Sequence, residues 1–103
     1  MPIAFVIEIP GVTKEENDRV GRKVSESGSP AGCVFHADGP FDGGIRQIEV
    51  WESQEAAQAF YGSDLMREAT SVLPEEKRHV QPKILMTWPV HGIDDGTGWR
   101  PAN

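Results

Sequence analysis

Two segments in which apolar and polar residues alternate lie on either side of an Asp42-Gly43 dipeptide. This arrangement restricts the possible folds more than any other feature of the sequence. Residues 32–38 and 45–52 are rich in β-branched and aromatic side chains, which favour strands. An Asp-Gly pair between two such segments is a strong signal of a two-residue hairpin turn. We therefore predict an antiparallel hairpin that turns at Asp42 and Gly43.

A two-residue turn determines which residues of the hairpin lie opposite each other, and directly opposed side chains share one face of a sheet. One face is mixed and consists of the pairs Asp38–Gln47, His36–Glu49 and Val34–Trp51. The other face is apolar and consists of Cys33, Phe35, Ala37, Ile48 and Val50. We expect the apolar face to lie under helices and the mixed face to be covered by a second subunit.

The rest of the chain provides two helical segments and two outer strands. Thr13 and Glu16 fit a capping box, in which each side chain accepts a backbone N–H of the other residue, so a helix begins there. Ser53 can cap a second helix, which Gly62 and Ser63 break or kink. The predicted strands span residues 2–9, 32–38, 45–52 and 83–91, and the predicted helices span about residues 13–27 and 53–73.

This order, β-α-β-β-α-β, predicts an α+β ferredoxin-like fold, a four-stranded antiparallel sheet with the helices on one face. In the outer strands the apolar face gains Ile3, Phe5, Ile7, Ile84, Met86 and Trp88, and the mixed face gains Val6, Glu8, Leu85, Thr87 and His91. We expect one domain over residues 1–93 and a flexible polar tail over residues 94–103, in which only Trp99 is suited to docking.

Charge and cysteine content restrict the partners. The formal net charge of −6 at pH 7 leaves no basic patch for nucleic acid and disfavours an anionic membrane surface. The single cysteine, Cys33, excludes an internal disulfide, so we expect a reducing, cytoplasmic location. The apolar first ten residues contain Glu8 and are interpreted as a strand rather than a signal peptide, and no segment approaches the length of a membrane span.

The element order, the hairpin GPFDGGIRQIEVWES and the closing segment PVHGI resemble the antibiotic biosynthesis monooxygenase-like proteins of the dimeric α/β-barrel superfamily. The resemblance covers about residues 2–93 and implies a homodimer whose two sheets enclose a barrel. It also implies, for the best-known members, oxygenation of electron-rich phenolic polyketides without a metal or a flavin. Other branches bind haem, isomerise substrates or have no known activity.

The same resemblance suggests site residues on the third strand. The quinone-forming members carry an Asn there and, four residues later, a Trp, and both face the substrate. Gln47 and Trp51 occupy the matching positions, and Gln reaches about one methylene further than Asn. The haem-degrading branch uses a histidine on its second helix, whereas residues 53–73 contain none.

His36 and Glu49 are the predicted catalytic residues. A carboxylate beside an imidazole raises the pKa of the histidine and prepares it as a general acid or base. The alternative is a cross-strand polar pair that satisfies itself at a dimer interface, which is the more frequent role of such a pair.

Gln47, Trp51 and His91 are the predicted substrate-binding residues. Trp51 offers an aromatic surface and one N–H donor, or else anchors a dimer interface. His91 lines the same cavity or only ends a strand. Tyr61 and Arg67 either close a pocket between helix and sheet or lie on the surface. The sequence pattern favours the surface position. No cluster of His, Cys and acidic residues has metal-ligand spacing, so we expect no dedicated metal site. The resemblance implies that no other cofactor is needed.

These observations predict a small dimeric enzyme similar to cofactor-independent monooxygenases. In this hypothesis His36, tuned by Glu49, assists proton removal from a phenol-like substrate that stacks near Trp51, Gln47 holds a substrate oxygen, and O2 reacts with the carbanion. Two alternatives stay open: an acid–base isomerase or cyclase that uses the same pocket, and a non-catalytic dimeric ligand-binding or stress-related protein.

Overall fold

The Asp42-Gly43 turn forms where the sequence places it, and it joins two paired strands of nine and eight residues. The structure is a computed structural model that describes residues 1–102. Its elements are β1 Ile3–Pro10, α1 Lys14–Ser25, β2 Cys33–Phe41, β3 Gly44–Trp51, α2 Gln54–Tyr61, α3 Asp64–Thr70, a 3-10 turn at Glu75–Lys77, β4 Lys83–Pro89, β5 Gly92–Asp94 and β6 Trp99–Pro101.

Strands β1 to β4 form one antiparallel sheet in the order β2-β3-β1-β4. The central strands β1 and β3 therefore pair with each other, and β2 and β4 form the edges. All three helices lie on one side of this sheet, because residues of α1, α2 and α3 line a common cleft with side chains of β2 and β3. The predicted α+β ferredoxin-like fold is confirmed.

A β-bulge changes the predicted hairpin register at its open end. The pairs Asp38–Gln47 and His36–Glu49 form as predicted. A register shift between Cys33 and Phe35 then pairs Cys33, and not Val34, with Trp51. An extra residue in one strand moves the following side chains to the opposite face. Cys33 therefore lies on the face of Trp51 rather than on the face of Phe35.

The helices cover the mixed face of the sheet, which corrects the predicted assignment of the two faces. Trp51 is buried, and its ring centroid lies 5.3 Å from that of Phe60 on α2. On β1, Ile3 lies opposite Trp51 and Ile7 opposite Gln47, so the apolar residues of β1 complete this covered face. The predicted core positions on β1 are correct, but they face the helices together with the mixed residues of the hairpin.

The opposite face of the sheet is apolar and open. Its exposed large residues are Phe35 (46% exposed), Ile48 (37%), Met86 (61%) and Trp88 (42%). Alternation within a strand separates its side chains into two sets, but it does not say which set the helices cover. The relative phase of neighbouring strands is a tertiary property, and here it brings Ile3, Phe5 and Ile7 to the side of Trp51.

The capping box at the start of α1 forms as predicted. The Thr13 hydroxyl accepts from Glu16 N at 3.2 Å, and Thr13 N donates to Glu16 Oε1 at 2.9 Å. The same oxygen accepts from Lys77 Nζ at 2.8 Å, which ties the 3-10 turn to α1. This ion pair joins segments that are 61 residues apart in sequence and connects the cap to the loop before β4.

The predicted second helix is two helices, separated at the predicted break. α2 ends at Gly62, and Ser63 caps α3 by accepting from Met66 N at 3.2 Å. The Ser63 hydroxyl also donates to Phe60 O at 2.6 Å, so one side chain satisfies both helix ends. None of the helices within residues 1–102 is both long and apolar enough to cross a membrane.

The C-terminal segment differs from the flexible tail expected after residue 93, because β5 and β6 pair as a small hairpin across that boundary. The turn is held by Asp94 Oδ1, which accepts from Gly96 N at 2.9 Å and from Gly98 N at 3.2 Å. Both glycines have positive φ, which such a turn requires. Trp99 packs on Gly92, where a Cβ would clash with the indole ring.

We predict that Ser53→Ala destabilises the protein by about 1 kcal/mol. The Ser53 hydroxyl accepts from Ala56 N at 3.0 Å at the N-terminus of α2, and alanine leaves this N–H without a cap. Urea denaturation measures the free energy of unfolding. The matched control is Ser27→Ala at an exposed residue after α1, which should change stability by less than about 0.5 kcal/mol. Equal effects of the two substitutions would contradict the role of Ser53 as a cap.

Candidate active site

A cleft of about 1340 Å³ separates the sheet from the helices. Its apolar wall on α1 contains only Val20 and Val24, so this helix does not fill the space above β2 and β3. The volume exceeds the roughly 300–1,000 Å³ typical of small-molecule sites. The cleft has room for a polycyclic ligand. The polar residues at its floor are Cys33, His36, Asp38, Gln47 and Glu49, and aromatic side chains come from Trp51, Phe60 and Tyr61.

Glu49 is a buried carboxylate at the centre of the floor, with only 2% of its surface exposed. Its Oε1 accepts from Trp51 Nε1 at 3.1 Å, and its Oε2 accepts from the Tyr61 hydroxyl at 2.5 Å. Burial by itself raises the pKa of Glu49, but the hydrogen bonds from His36, Tyr61 and Trp51 outweigh it and lower the pKa below its usual value. Glu49 is therefore an anion at neutral pH.

His36 lies between two carboxylates. Its Nδ1 is 3.4 Å from Glu49 Oε2, and its Nε2 is 2.7 Å from Asp38 Oδ2. The interaction with Glu49 contributes most to raising the pKa of His36, burial opposes it, and Asp38 adds to the increase. The side chain is 40% exposed to the cleft. A histidine with a raised pKa is a stronger base in its neutral form, which suits proton abstraction.

Three aromatic rings form a wall beside Glu49. The ring centroids of Trp51 and Tyr61 are 6.4 Å apart, and those of Phe60 and Tyr61 are 5.2 Å apart in an edge-on arrangement. Burial first, and then the charge of Glu49, raise the pKa of the Tyr61 hydroxyl well above its usual value. Tyr61 therefore stays protonated and acts as a fixed donor to Glu49.

The structure brings four of the five predicted site residues together. His36, Glu49, Gln47 and Trp51 all line the cleft. His91 does not line it; this residue is exposed after β4, and its carbonyl accepts from Ala102 N at 3.0 Å. The pairing of His36 with Glu49 thus faces the cleft between the sheet and the helices, and not the open face of the sheet.

The sequence pattern favoured a surface position for Tyr61, whereas the structure places its side chain in the lining of the cleft. Its position at the end of α2, just before the break at Gly62, is a sequence signal, but its direction depends on how the helix meets β3. Arg67 also lines the cleft, although it is exposed and pairs with Asp64. Cys33 lies on the same wall, and burial, followed by the charge of Glu49, raises the pKa of its thiol.

No group of three His, Cys, Asp or Glu side chains within residues 1–102 is arranged to hold a metal ion. The imidazole of His36 lies between the carboxylates of Asp38 and Glu49. Each of its two nitrogens faces one of them. This arrangement suits a proton site.

Several solved structures share the fold. A Chloroflexus aurantiacus J-10-fl protein, named as a candidate antibiotic biosynthesis monooxygenase, has a TM-score of 0.60 and 15% identity over 93% of this chain and 100% of its own. A dimeric ferredoxin-like protein of unknown function from Jannaschia sp. CCS1 has a TM-score of 0.58 and 12% identity, covering 87% and 100%. A second candidate antibiotic biosynthesis monooxygenase, from Deinococcus radiodurans, has a TM-score of 0.53 and 13% identity, covering 95% and 100%.

The structural neighbours thus include the proteins that the sequence resemblance predicts. At these identities the shared property is the ferredoxin-like fold, over nearly the whole chain. No protein-family model matches the sequence. A search of curated proteins also found no match.

We predict that Glu49→Gln lowers the pKa of His36, because the carboxylate that contributes most to the increase is removed while the burial stays. The titration of the His36 ring protons in NMR spectra measures this pKa. Glu68→Gln removes the same charge from an exposed site on α3 and should leave the pKa of His36 unchanged. An equal titration midpoint in wild type and Glu49→Gln would contradict the coupling of the two residues.

Proposed function

We propose that the protein is a homodimeric, cofactor-independent oxygenase that removes a proton from an electron-rich, phenol-like aromatic substrate and lets O2 oxidise the resulting anion. The observation that supports this proposal is the position of His36, which lies between two carboxylates on the floor of a cleft with aromatic walls. The neighbours named as candidate antibiotic biosynthesis monooxygenases share the fold that carries this cleft.

The proposed reaction starts with proton transfer. The substrate hydroxyl lies at His36, and the neutral imidazole accepts its proton, while the buried Glu49 anion stabilises the imidazolium that forms. The substrate ring rests against Phe60 and Tyr61, and the Gln47 amide donates to a substrate oxygen. The phenolate then carries part of its negative charge on a ring carbon, which gives that carbon the character of a carbanion.

Oxygen takes up the electrons of this anion. The ring carbon forms a bond to O2, and the reduced peroxide oxygen receives the proton from the His36 imidazolium. The hydroperoxide loses water together with the hydrogen of that carbon and leaves a second carbonyl group. One phenol and one O2 thus give one quinone and one water, with no other electron donor.

We predict that His36→Ala lowers the rate of quinone formation by about 10²- to 10⁴-fold, the usual contribution of a positioned general base. Absorbance and oxygen uptake during aerobic incubation with anthrone- or quinol-type substrates measure the rate. His79→Ala, at an exposed histidine in the loop before β4, is the control and should react as wild type does. Equal background rates for wild type and His36→Ala would refute the catalytic role.

The pH dependence of the same reaction should follow His36. The base form exists above the raised pKa of His36, so kcat/KM should rise with pH to a plateau, with a midpoint above 6.5. In Glu49→Gln the midpoint should move to lower pH. A profile that falls over this pH range would instead require the protonated imidazole as the reacting form.

A second candidate function uses the same groups without oxygen. His36 and Glu49 provide acid–base chemistry only, and this geometry equally supports isomerisation or cyclisation of an enolisable substrate. The oxygen requirement separates the two functions, because turnover that continues unchanged under argon belongs to an isomerase or a cyclase.

The proposed homodimer forms through the open face of the sheet. Phe35, Ile48, Met86 and Trp88 are exposed there, and a contiguous apolar surface of this kind is typical of an interface. The Jannaschia protein with the same fold is described as dimeric. Two such sheets facing each other enclose a barrel and leave each cleft within its own subunit.

We predict that Ile48→Glu converts the dimer to a monomer, because the glutamate buries an unpaired charge in the interface. Sedimentation at micromolar concentration measures the mass. Val72→Glu is a matched control, since both side chains are 37% exposed and Val72 lies after α3, on the helical side. A wild-type protein that sediments as a monomer would exclude the proposed interface.

A further inference from the structure

Both ring nitrogens of His36 are occupied by carboxylates in the structure. Nδ1 faces Glu49 Oε2 at 3.4 Å, and Nε2 faces Asp38 Oδ2 at 2.7 Å. An imidazole has no third polar atom. A ligand oxygen can therefore accept a hydrogen bond from a ring N–H of His36 only if it displaces one of the two carboxylates.

Glu49 is the carboxylate that is held in place. Its two oxygens receive Trp51 Nε1 and the Tyr61 hydroxyl in addition to the contact with His36. With 2% of its surface exposed, it has no access to water that could replace these donors. Separation of a buried charge from its partners is strongly unfavourable, so the 3.4 Å contact at Nδ1 persists.

Asp38 is the carboxylate that can be displaced. Its side chain is 33% exposed, so water can solvate the carboxylate after it leaves the imidazole. Exposed ion pairs of this kind contribute little to stability. Nε2–H donates to Asp38 in the cationic ring and in the neutral tautomer that keeps its proton on Nε2. When the neutral ring carries its proton on Nδ1 instead, Nε2 has a lone pair and the Asp38 carboxylate has no hydrogen to donate to it.

We propose that Asp38 is a positioning residue that occupies, in the free protein, the site of a substrate oxyanion. A phenolate or enolate oxygen displaces the Asp38 carboxylate and accepts the hydrogen bond from Nε2–H. Gln47 lies directly opposite Asp38 in the strand register and is therefore next to the same site. The negative charge of Asp38 competes with the ligand until it turns into solvent.

This inference deepens the proposed function, because it assigns Nε2 as the nitrogen that faces the substrate and Nδ1 as the one that Glu49 holds. It rests on the proposed function in that the ligand is a phenol-like molecule in the same cleft. It does not depend on oxygen or on turnover, so it can be tested by binding alone.

The experiment measures the binding of 4-nitrophenolate to the full chain under argon, from the visible absorption of the phenolate and from the shift of the His36 ring signals in NMR spectra. Asp38→Asn removes the competing charge and keeps the shape of the side chain. We expect about two- to fivefold tighter binding than to wild type, the range expected for an exposed ion pair. A variant that only loosens the fold would bind less tightly.

The matched control is Asp42→Asn, which removes the same charge in the hairpin turn, outside the cleft, and preserves a turn sequence of Asn-Gly. It should bind 4-nitrophenolate as wild type does, whereas His36→Ala should lose most of the binding. Far-UV circular dichroism confirms that each variant is folded.

Equal affinities of wild type and Asp38→Asn, or the absence of binding to both, would overturn the proposed site. Tighter binding to Asp38→Asn without oxygen uptake on quinol substrates would retain the site and overturn the oxygenase function. Oxygen uptake with no effect of Asp38→Asn on binding would retain the oxygenase and overturn the site.

Discussion

The buried charge of Glu49 is the constraint on which the arrangement of the helical side depends. A carboxylate that is 2% exposed is stable in this position only because an indole N–H, a phenol hydroxyl and an imidazole surround it. Trp51 belongs to β3, Tyr61 to α2 and His36 to β2, so the same three donors hold three elements together. The hydrogen bonds of the buried Glu49 carboxylate thus help to hold α2 against the sheet.

In the hairpin of β2 and β3, this arrangement departs from the usual distribution of polarity in a layered fold. The face under the helices carries Asp38, Gln47 and Glu49, and the face without helices carries Phe35 and Met86. An exposed apolar face together with polar side chains under the helices is unfavourable for an isolated sheet, and the proposed dimer interface and ligand cleft would account for the two features.

The sequence predicts much of the fold, because turns, caps and breaks are local. The Asp42-Gly43 turn, the Thr13–Glu16 cap and the interruption at Gly62 all follow from a few neighbouring residues. The choice of the covered face does not follow in this way, since it depends on the pairing of β1 with β3 across about 40 residues of chain. The role of Tyr61 depends in turn on which face of the sheet the helices cover. No feature of the local sequence indicates the bulge at Cys33. The DDGTG turn of the C-terminal hairpin was present in the sequence, but its glycines also suit a mobile tail.

The bulge at Cys33 has a chemical consequence for the cleft. It moves the only thiol of the chain onto the wall beside Glu49, where burial and the neighbouring anion keep the sulfur protonated. Peroxides oxidise the thiolate form of cysteine, and the neutral thiol reacts slowly with them. A cleft in which peroxides form would thus protect its own wall from sulfenic acid formation through the same carboxylate that tunes His36.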